Sequence, residues 1–452
     1  MKKEFFKTVV LTFLVISSLV LSANIWYEKE LWSMDYSSFV YSLKNILRRD
    51  SVSNFSDIDE LMRLCKFSPE FVSFTYGSKK MVLYDASPGF SEAYQTASEI
   101  LASLEKEGGM VSITDEEYLN AYKTNSMMLK FPSDISLQEL MNRDDAFFDL
   151  TKEAKVSALV VGIDDSQTNY LSFRDTATGH AYRMPVKSSV NIEGIRQKIE
   201  ASNQNASFAF ELNFDRKQDD AERILFQRLV PITLGDHSLR DIELKPITYS
   251  SQYDSIFKTF RIVKNSARTY RDKENTIHFI ENRSTLKIFE SGAFSFEADE
   301  KESGIQLNGR AEEDAVVEFV NLLYQNLAPE SEAFLAVSSK QATGAGTCYE
   351  FEYRTKNGVI HGKDQPFLSV TVEDGAIMKF AQQLYSVAFT GGTETITGVI
   401  EAYDFLYNQP DFPEKSKLSI QSMQPCHILT EGVLKCGWAC KFSDGSLSYF
   451  IP

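Results

Sequence analysis

Leu434-Lys435-Cys436-Gly437-Trp438-Ala439-Cys440-Lys441-Phe442-Ser443-Asp444-Gly445-Ser446 decides how the C-terminal part of this chain folds. Leu434, Cys436, Trp438, Cys440 and Phe442 alternate strictly with Lys435, Gly437, Ala439, Lys441 and Ser443. Alternate side chains on a strand point to opposite faces, so the run reads as a strand with one apolar face. Asp444-Gly445, which follows, is a strong hairpin-turn dipeptide. Asn357-Gly358 and Asp374-Gly375 occupy the same place between alternating apolar runs. From Asn265 onward the pattern is therefore dominated by antiparallel hairpins.

The alternation also decides how to read the cysteines. Cys426, His427, Cys436 and Cys440 invite a zinc reading. On one strand, however, Cys436 and Cys440 lie about 13 Å apart, at ~3.3 Å per residue, too far to bridge or to share a metal comfortably. Both read as small core hydrophobes. A hairpin turning at Glu431-Gly432 would bring Cys426 opposite Cys436, which leaves a disulfide between them conceivable. The 5 cysteines are scattered and make no disulfide framework.

Two helices interrupt the hairpins. One is expected over residues 312–327, burying Val316, Phe319, Val320, Leu323 and Leu327. The other is expected over 395–407, burying Ile396, Val399, Ile400, Tyr403 and Leu406. Upstream, residues 90–107 repeat Phe90, Tyr94, Ala97, Leu101 and Leu104 at helical spacing, started by Ser87-Pro88 and ended by Gly108-Gly109. Ser136 and Glu139 have capping-box spacing. Residues 156–186 read as strands around a turn at Asp164-Asp165-Ser166, and a mixed segment follows to about Arg261.

At the N-terminus, residues 8–27 carry no charge and are mostly Val, Leu, Ile and Phe. As a helix that run spans about 30 Å, the thickness of a bilayer's hydrocarbon core. Lys2, Lys3 and Lys7 precede it, placing the N-terminus in the cytoplasm and the rest outside. Cleavage as a signal peptide would put Leu21 or Val20 at the third position back, where small residues are preferred, so a retained anchor is favoured. Thr8, Thr12, Ser18 and Ser22 lie near one side of the helix, with Val15 and Trp26 completing a candidate partner-binding face. Small and hydroxyl residues let a neighbouring helix approach closely and hydrogen-bond across the contact.

The formal charge of -16 over 452 residues makes nucleic acid an unsuitable partner. The phosphate-loop, metalloprotease, serine-hydrolase and dinucleotide motifs are all absent. Gly344-Ala345-Gly346 and Gly391-Gly392 read as loop turns. His180, His237, His278, His361 and His427 share no ligand spacing, and the carboxylates are too numerous to single out a pair. No catalytic residue, cofactor or metal is expected, and a binding or regulatory module is the default.

The layout resembles the YycH family of regulatory proteins from Gram-positive bacteria. The likeness rests on the basic N-terminus, the apolar run 11–21 with Asn24-Ile25-Trp26, and Ser68-Pro69-Glu70 before Val82-Leu83-Tyr84. It continues through Met128-Leu129-Lys130-Phe131-Pro132, Tyr170 to Asp175, Gly179 to Tyr182, Tyr270-Arg271-Asp272, Gly292 to Phe296, and Gly437-Trp438 to Tyr449. The resemblance implies association with a membrane sensor histidine kinase (WalK/YycG-like) of a cell-wall two-component system, together with a YycI-like protein. It supplies no catalytic residue, and the C-terminal cysteines depart from the pattern.

The expected fold is α+β: a single N-terminal transmembrane helix, a helix-containing N-terminal part and β-rich C-terminal domains with antiparallel hairpins. The expected divisions are a cytoplasmic tail (1–7), the membrane helix (8–27), an N-terminal extracytoplasmic domain (28–198), a central α+β domain (199–262) and a C-terminal β-rich domain (263–452). The alternative is an exported cell-wall-acting enzyme or ligand-binding protein with a passive anchor. A deep, polar, carboxylate-lined cleft would favour the enzyme.

Overall fold

The computed structural model describes residues 68–452, apart from 86, 88, 103–109, 138–139, 141–153, 163–168, 187–191, 202–205, 209–224, 227–229, 234, 248–252, 308–311, 345, 356–357 and 410–417. The expected anchor lies outside these residues. Among the described residues no helix is long and apolar enough to cross a membrane.

Strands frame the chain from its first described residues. The first sheet has seven, all paired antiparallel. They are β1 (Phe71–Tyr76), β2 (Lys79–Tyr84), β3 (Val111–Ile113), β4 (Ser126–Ser136), β5 (Lys155–Gly162), β6 (Asn169–Arg174) and β7 (Ala181–Val186), in the order β2-β1-β4-β5-β6-β7-β3. Both faces of this sheet are covered. Val72, Met127, Leu129, Leu159 and Val161 pack beneath helices α1 (Phe90–Ala102) and α3 (Ile192–Ala201). Phe71, Met128, Ala158 and Val160 share the other core with Tyr118 and Tyr122 of α2 (Asp115–Lys123). Burial on both sides explains why β5 reads Ala-Leu-Val-Val without a polar break. The strands expected over 156–186 thus belong to a sheet that already begins at Phe71, and the helices decorate it.

Four strands follow: β8 (Ala206–Phe208), β9 (Leu225–Phe226), β10 (Pro231–Thr233) and β11 (His237–Pro246). Next come β12 (Arg268–Arg271), β13 (Ile277–Glu281), β14 (Ser284–Ile288), β15 (Phe294–Ala298) and β16 (Ile305–Gln306). The chain then builds β17 (Ala333–Ala342), β18 (Thr347–Thr355), β19 (Gly358–Gly362), β20 (Leu368–Glu373) and β21 (Ala376–Gln382). It ends with β22 (Tyr385–Ile396), β23 (Ser419–Thr430), β24 (Val433–Phe442) and β25 (Leu447–Phe450). Fourteen strands make the large sheet, whose main path is β12-β13-β14-β15-β21-β20-β18-β19-β23-β24-β25. Its pairings are antiparallel except β19–β23 and β9–β23. A separate ribbon pairs β11 with β22.

Turn chemistry at Asp374-Gly375 behaves as the dipeptide predicts, whereas Gly358 of the expected Asn357-Gly358 turn is the first residue of β19, paired with Thr355. Asp374 and Gly375 both take positive φ between β20 and β21, the twist that a two-residue hairpin needs. Glu431-Gly432 does the same between β23 and β24. Gly391-Gly392 is corrected: the pair lies inside β22, where Asp241 of β11 leaves no room for a Cβ on Gly392.

Helix α5 (Glu312–Leu327) has the expected bounds and buries Val316, Val320, Leu323 and Leu327 in the core of the large sheet. Phe319 is partly buried against it. Asn321 does what periodicity cannot announce. Its amide donates to Leu335 O and accepts from Leu335 N, both at 2.8 Å, and so satisfies the backbone of β17 as another strand would. Helix α4 (Tyr253–Thr259) leads to Phe260, whose ring meets Phe294, Phe296, Phe319 and Phe380. Helix α6 (Val399–Tyr407) starts later than expected. Thr395 and Ile396 still pair with β11, and Val399, Ala402 and Leu406 form the buried stripe while Ile400 is exposed.

Candidate functional site

The quoted run at 434–446 is a strand, but one buried on both faces at its centre. Cys436, Trp438, Cys440 and Phe442 enter the core shared with the first sheet, while Ala439 joins Cys426 and Ile428 on the other side. Register then decides the disulfide. His427 lies opposite Cys436 and Cys426 opposite Gly437, so the two cysteines point to opposite faces. No disulfide joins Cys348, Cys426, Cys436 or Cys440. Among the described residues no group of three His, Cys, Asp or Glu could hold a metal ion. Thr8, Thr12, Val15, Ser18, Ser22 and Trp26 lie outside the described residues.

The site that the structure assembles starts from β18. Tyr349, Phe351 and Tyr353 enter the large core, which turns Glu350, Glu352 and Arg354 to the other face. Across the hairpin Tyr353 pairs with Ile360, and one step further along that register Glu352 faces His361. Arg354 donates to Glu352 Oε1 through Nε at 3.1 Å and Nη2 at 3.0 Å. His361 Nδ1 lies 3.1 Å from Glu352 Oε2. All three side chains are buried.

The first sheet closes over this triad. Glu70, just before β1, is tied by its backbone to Lys130 O at 2.7 Å and to Asp85 N at 3.3 Å. Its carboxyl hydrogen-bonds Ser422 of β23. β4 pairs Lys130 with Ala158 and next Ile135 with Val156, so residues 131–134 bulge outward. Bulges redirect a strand next to functional clefts. Here Pro132 O accepts from Lys441 Nζ at 3.4 Å. Between the two sheets lies a cleft of about 370 Å³, within the range of small-molecule sites. Its lining carboxylates are Glu70, Asp134, Glu313, Asp314 and Glu352. The lining cations are Lys340, Arg354 and Lys441, with His361 beside them.

Electrostatics divides the two deepest carboxyls. Burial pushes Glu70 above the usual carboxylate range, more than its hydrogen bond to Ser422 and the charges of Lys130, Lys441 and Arg354 pull it down. Burial acts on Glu352 too, but there His361 and Arg354 outweigh it and bring the carboxyl to about 2. Burial also lowers Lys130, opposed by Glu70 and Asp134. Glu70 Oε1, His361 Nε2 and Gln424 Oε1 are buried without a hydrogen-bond partner.

A pH dependence follows. Glu352 titrates lower when folded than at its ordinary 4.5, so the unfolded chain binds more protons between those values. Its contribution is present above about pH 4.5 and lost as pH falls toward 2. His237, driven to about 4 by burial, is likewise better kept neutral; stability is lost as pH falls from 6.5 through 4. His427 is lowered for the same reason. In urea unfolding the His237 contribution is therefore expected to be lost from pH 6.5 downward and the Glu352 contribution below about pH 4.5. His237→Gln should flatten the upper part of that loss; an unchanged slope between pH 6.5 and 4 would refute the assignment. Glu70 has the opposite sign, because its folded pKa is raised. Glu70→Gln should leave stability unchanged in acid and raise it at neutral pH.

None of Glu70, Glu352, Arg354 or Gln424 was singled out by motif. The turn dipeptide misleads here: Asn357-Gly358 as the two loop residues would set Glu352 across from Lys363, whereas Thr355 pairs with Gly358 and Glu352 comes to face His361. Ser68-Pro69-Glu70 contributes from almost three hundred residues away, and no local pattern announces that.

A β-dominated protein of two facing sheets, with a charged cleft between them and no metal cluster among its described residues, is the class that fold and site define. Among solved structures the chain is similar to YycH from Bacillus subtilis, with a TM-score of 0.58 at 11% identity, covering 84% of this chain and 95% of that one. That likeness establishes a YycH-like fold, in agreement with the resemblance read from the sequence at the level of fold. No protein-family model matches the chain, and no curated protein matches it.

Proposed function

We propose that this chain is a membrane-anchored, extracytoplasmic regulator of a cell-wall two-component sensor histidine kinase, acting by binding and without chemistry. The observation that carries the reading is the fold likeness to YycH over 84% of the chain. The uncharged run 8–27 supports a single anchor with a cytoplasmic N-terminus. In this reading the membrane is one partner, and a WalK/YycG-like kinase and a YycI-like protein are the others. The face bearing Thr8, Thr12, Val15, Ser18, Ser22 and Trp26 touches a kinase helix. Such a contact regulates only if its free energy differs between the kinase's two states.

The test replaces residues 1–27 with an unrelated anchor of equal length, alongside Ser18→Leu/Ser22→Leu in the native anchor. Both are expected to preserve membrane insertion and to weaken co-purification of the kinase. Unchanged association and unchanged kinase output would remove the helix contact from the mechanism.

One observation favours a second reading, an exported enzyme acting on the cell wall. Glu70 and Glu352 share a cleft and are pushed in opposite directions, the pattern of an acid/base pair. Against it, both oxygens of Glu352 are already engaged by Arg354 and His361. Release of soluble fragments from purified cell wall by the full chain, abolished in Glu70→Gln, would favour the enzyme.

A further inference from the structure

The large sheet ends on an open edge. β12 is the last strand of its path and, among the described residues, pairs only with β13. All its residues, Arg268 to Arg271, are exposed. An edge strand presents a row of backbone N–H and C=O groups that another strand can pair. Both ends of this edge are held in place. Before it, Val263 O accepts from the backbone N–H groups of Ser266 and Ala267, each at 2.9 Å. After it, Asp272 Oδ1 accepts from Glu274 N at 2.9 Å and from Thr276 N at 3.0 Å. Asp272 Oδ2 lies 2.8 Å from His278 Nε2, and the His278 ring stacks on Tyr270 at 4.4 Å. The Tyr270 ring, 46% exposed, is therefore already ordered, which lowers the entropy cost of burying it under a partner.

Charge says what that partner carries. Arg261, Lys264, Arg268, Arg271 and Lys273 make residues 261–273 basic in a chain of formal charge -16. Among the described residues neither Arg268 nor Arg271 has an ion-pair partner. Guarding an edge against self-association is an ordinary use of charge. In an acidic protein carboxylates would serve that end, whereas arginines attract the acidic surface of any other molecule. A second β12 is disfavoured as the occupant. Antiparallel pairing of two copies about their centre sets Arg268 against Arg271 twice, and like charges directly opposite repel.

We infer that β12 is the docking edge for an extended acidic segment of another protein, which adds to the large sheet as an antiparallel strand. Arg268 and Arg271 stand three positions apart, so on a strand they point to opposite faces. The segment that matches them carries carboxylates three positions apart, with a β-branched residue opposite Tyr270. Glu-Val-Thr-Glu, read from the residue facing Arg271 to the residue facing Arg268, meets both demands. The inference stands on the edge and its charges alone and is tested without a kinase, so it does not depend on the regulatory reading.

The probe is the peptide Thr-Glu-Val-Thr-Glu-Thr, with fluorescein at its N-terminus and an amide at its C-terminus. It is titrated with the full chain in nonionic detergent at low salt, where exposed charges are least screened. Anisotropy is expected to show saturable binding, about tenfold or more tighter than for the same peptide with Lys in place of Glu. Adjacent residues of an antiparallel strand turn their backbone groups alternately toward and away from the neighbour. N-methylation of the central Val or the central Thr is thus expected to abolish binding in one case and spare it in the other. Arg268→Glu/Arg271→Glu changes only exposed side chains and should melt at the wild-type temperature. It is expected to bind the acidic peptide about tenfold or more weakly and to prefer the lysine peptide. If that variant fails to fold, Arg268→Gln/Arg271→Gln carries the same loss of acidic-peptide binding. No saturable binding, equal affinity for the lysine peptide, or affinity unmoved by the arginine substitutions would each overturn the proposal. So would binding that survives both N-methylations or neither, since no strand is then added at this edge.

Discussion

Arg354→Met is expected to lower the unfolding free energy by about 3–5 kcal/mol, because it leaves the Glu352 carboxylate buried without its guanidinium. Arg354 supplies two of the three hydrogen bonds recorded on that carboxylate, and neither group reaches solvent appreciably. Much of the cost is the desolvated charge left behind. Removing both charges should therefore restore most of the stability: Glu352→Leu/Arg354→Met is expected to lie much closer to wild type than Arg354→Met alone, since well-packed apolar replacements of buried ion pairs are often neutral or better. Guanidinium unfolding of the wild type, the two single variants and the double variant measures the cycle. Additive single effects, with no recovery in the double variant, would show that the pair is not a unit. Acid unfolding supplies a second readout, because any variant without the Glu352 carboxyl loses the contribution that falls away below about pH 4.5.

Trp438→Ala is the second large expectation, at about 3–5 kcal/mol for deletion of a buried aromatic side chain. The indole is fully buried, meets Tyr84 edge-on at 5.8 Å and His237 at 5.1 Å, and donates from Nε1 to Thr397 O at 2.9 Å. Tyr84 belongs to the first sheet and Trp438 to the large one, so the side chain helps join them. Trp438→Phe separates volume from hydrogen bond: it should cost less than Ala, retaining part of the packing while leaving Thr397 O without its donor. The chain has 3 tryptophans, and Trp26 and Trp32 precede the described residues. Fluorescence of a fragment starting at residue 68 would thus report this contact alone. A Trp438→Ala variant unfolding at the wild-type denaturant midpoint would show that the sheets are held together elsewhere.

Legibility followed the range of the interaction. Helix α5 and the hairpin at Asp374-Gly375 were readable because periodicity and turn chemistry are properties of consecutive residues. The start of α6 was misplaced because Thr395 and Ile396 are held by β11, about 150 residues upstream, and pairing overrode an acceptable helical pattern. The first sheet was under-read for a related reason: strands buried on both faces lose the alternation that marks a half-buried strand. The proposed contact face from Thr8 to Trp26 rests on sequence alone.

The opening run 434–446 shows where the division falls. By itself the sequence determined that Leu434 to Phe442 is a strand and that Asp444-Gly445 turns it back, since a period of two and a turn dipeptide act within a few residues. Only the tertiary structure decided that both faces of that strand are covered, that Cys426 and Cys436 point apart, and that Ala439 and Lys441 border a charged cleft. A strand's side chains have two directions to point, and local sequence sets the alternation. What waits on each side depends on which distant segments bury there, and here those are Glu70, the β4 bulge and the Glu352–Arg354–His361 triad.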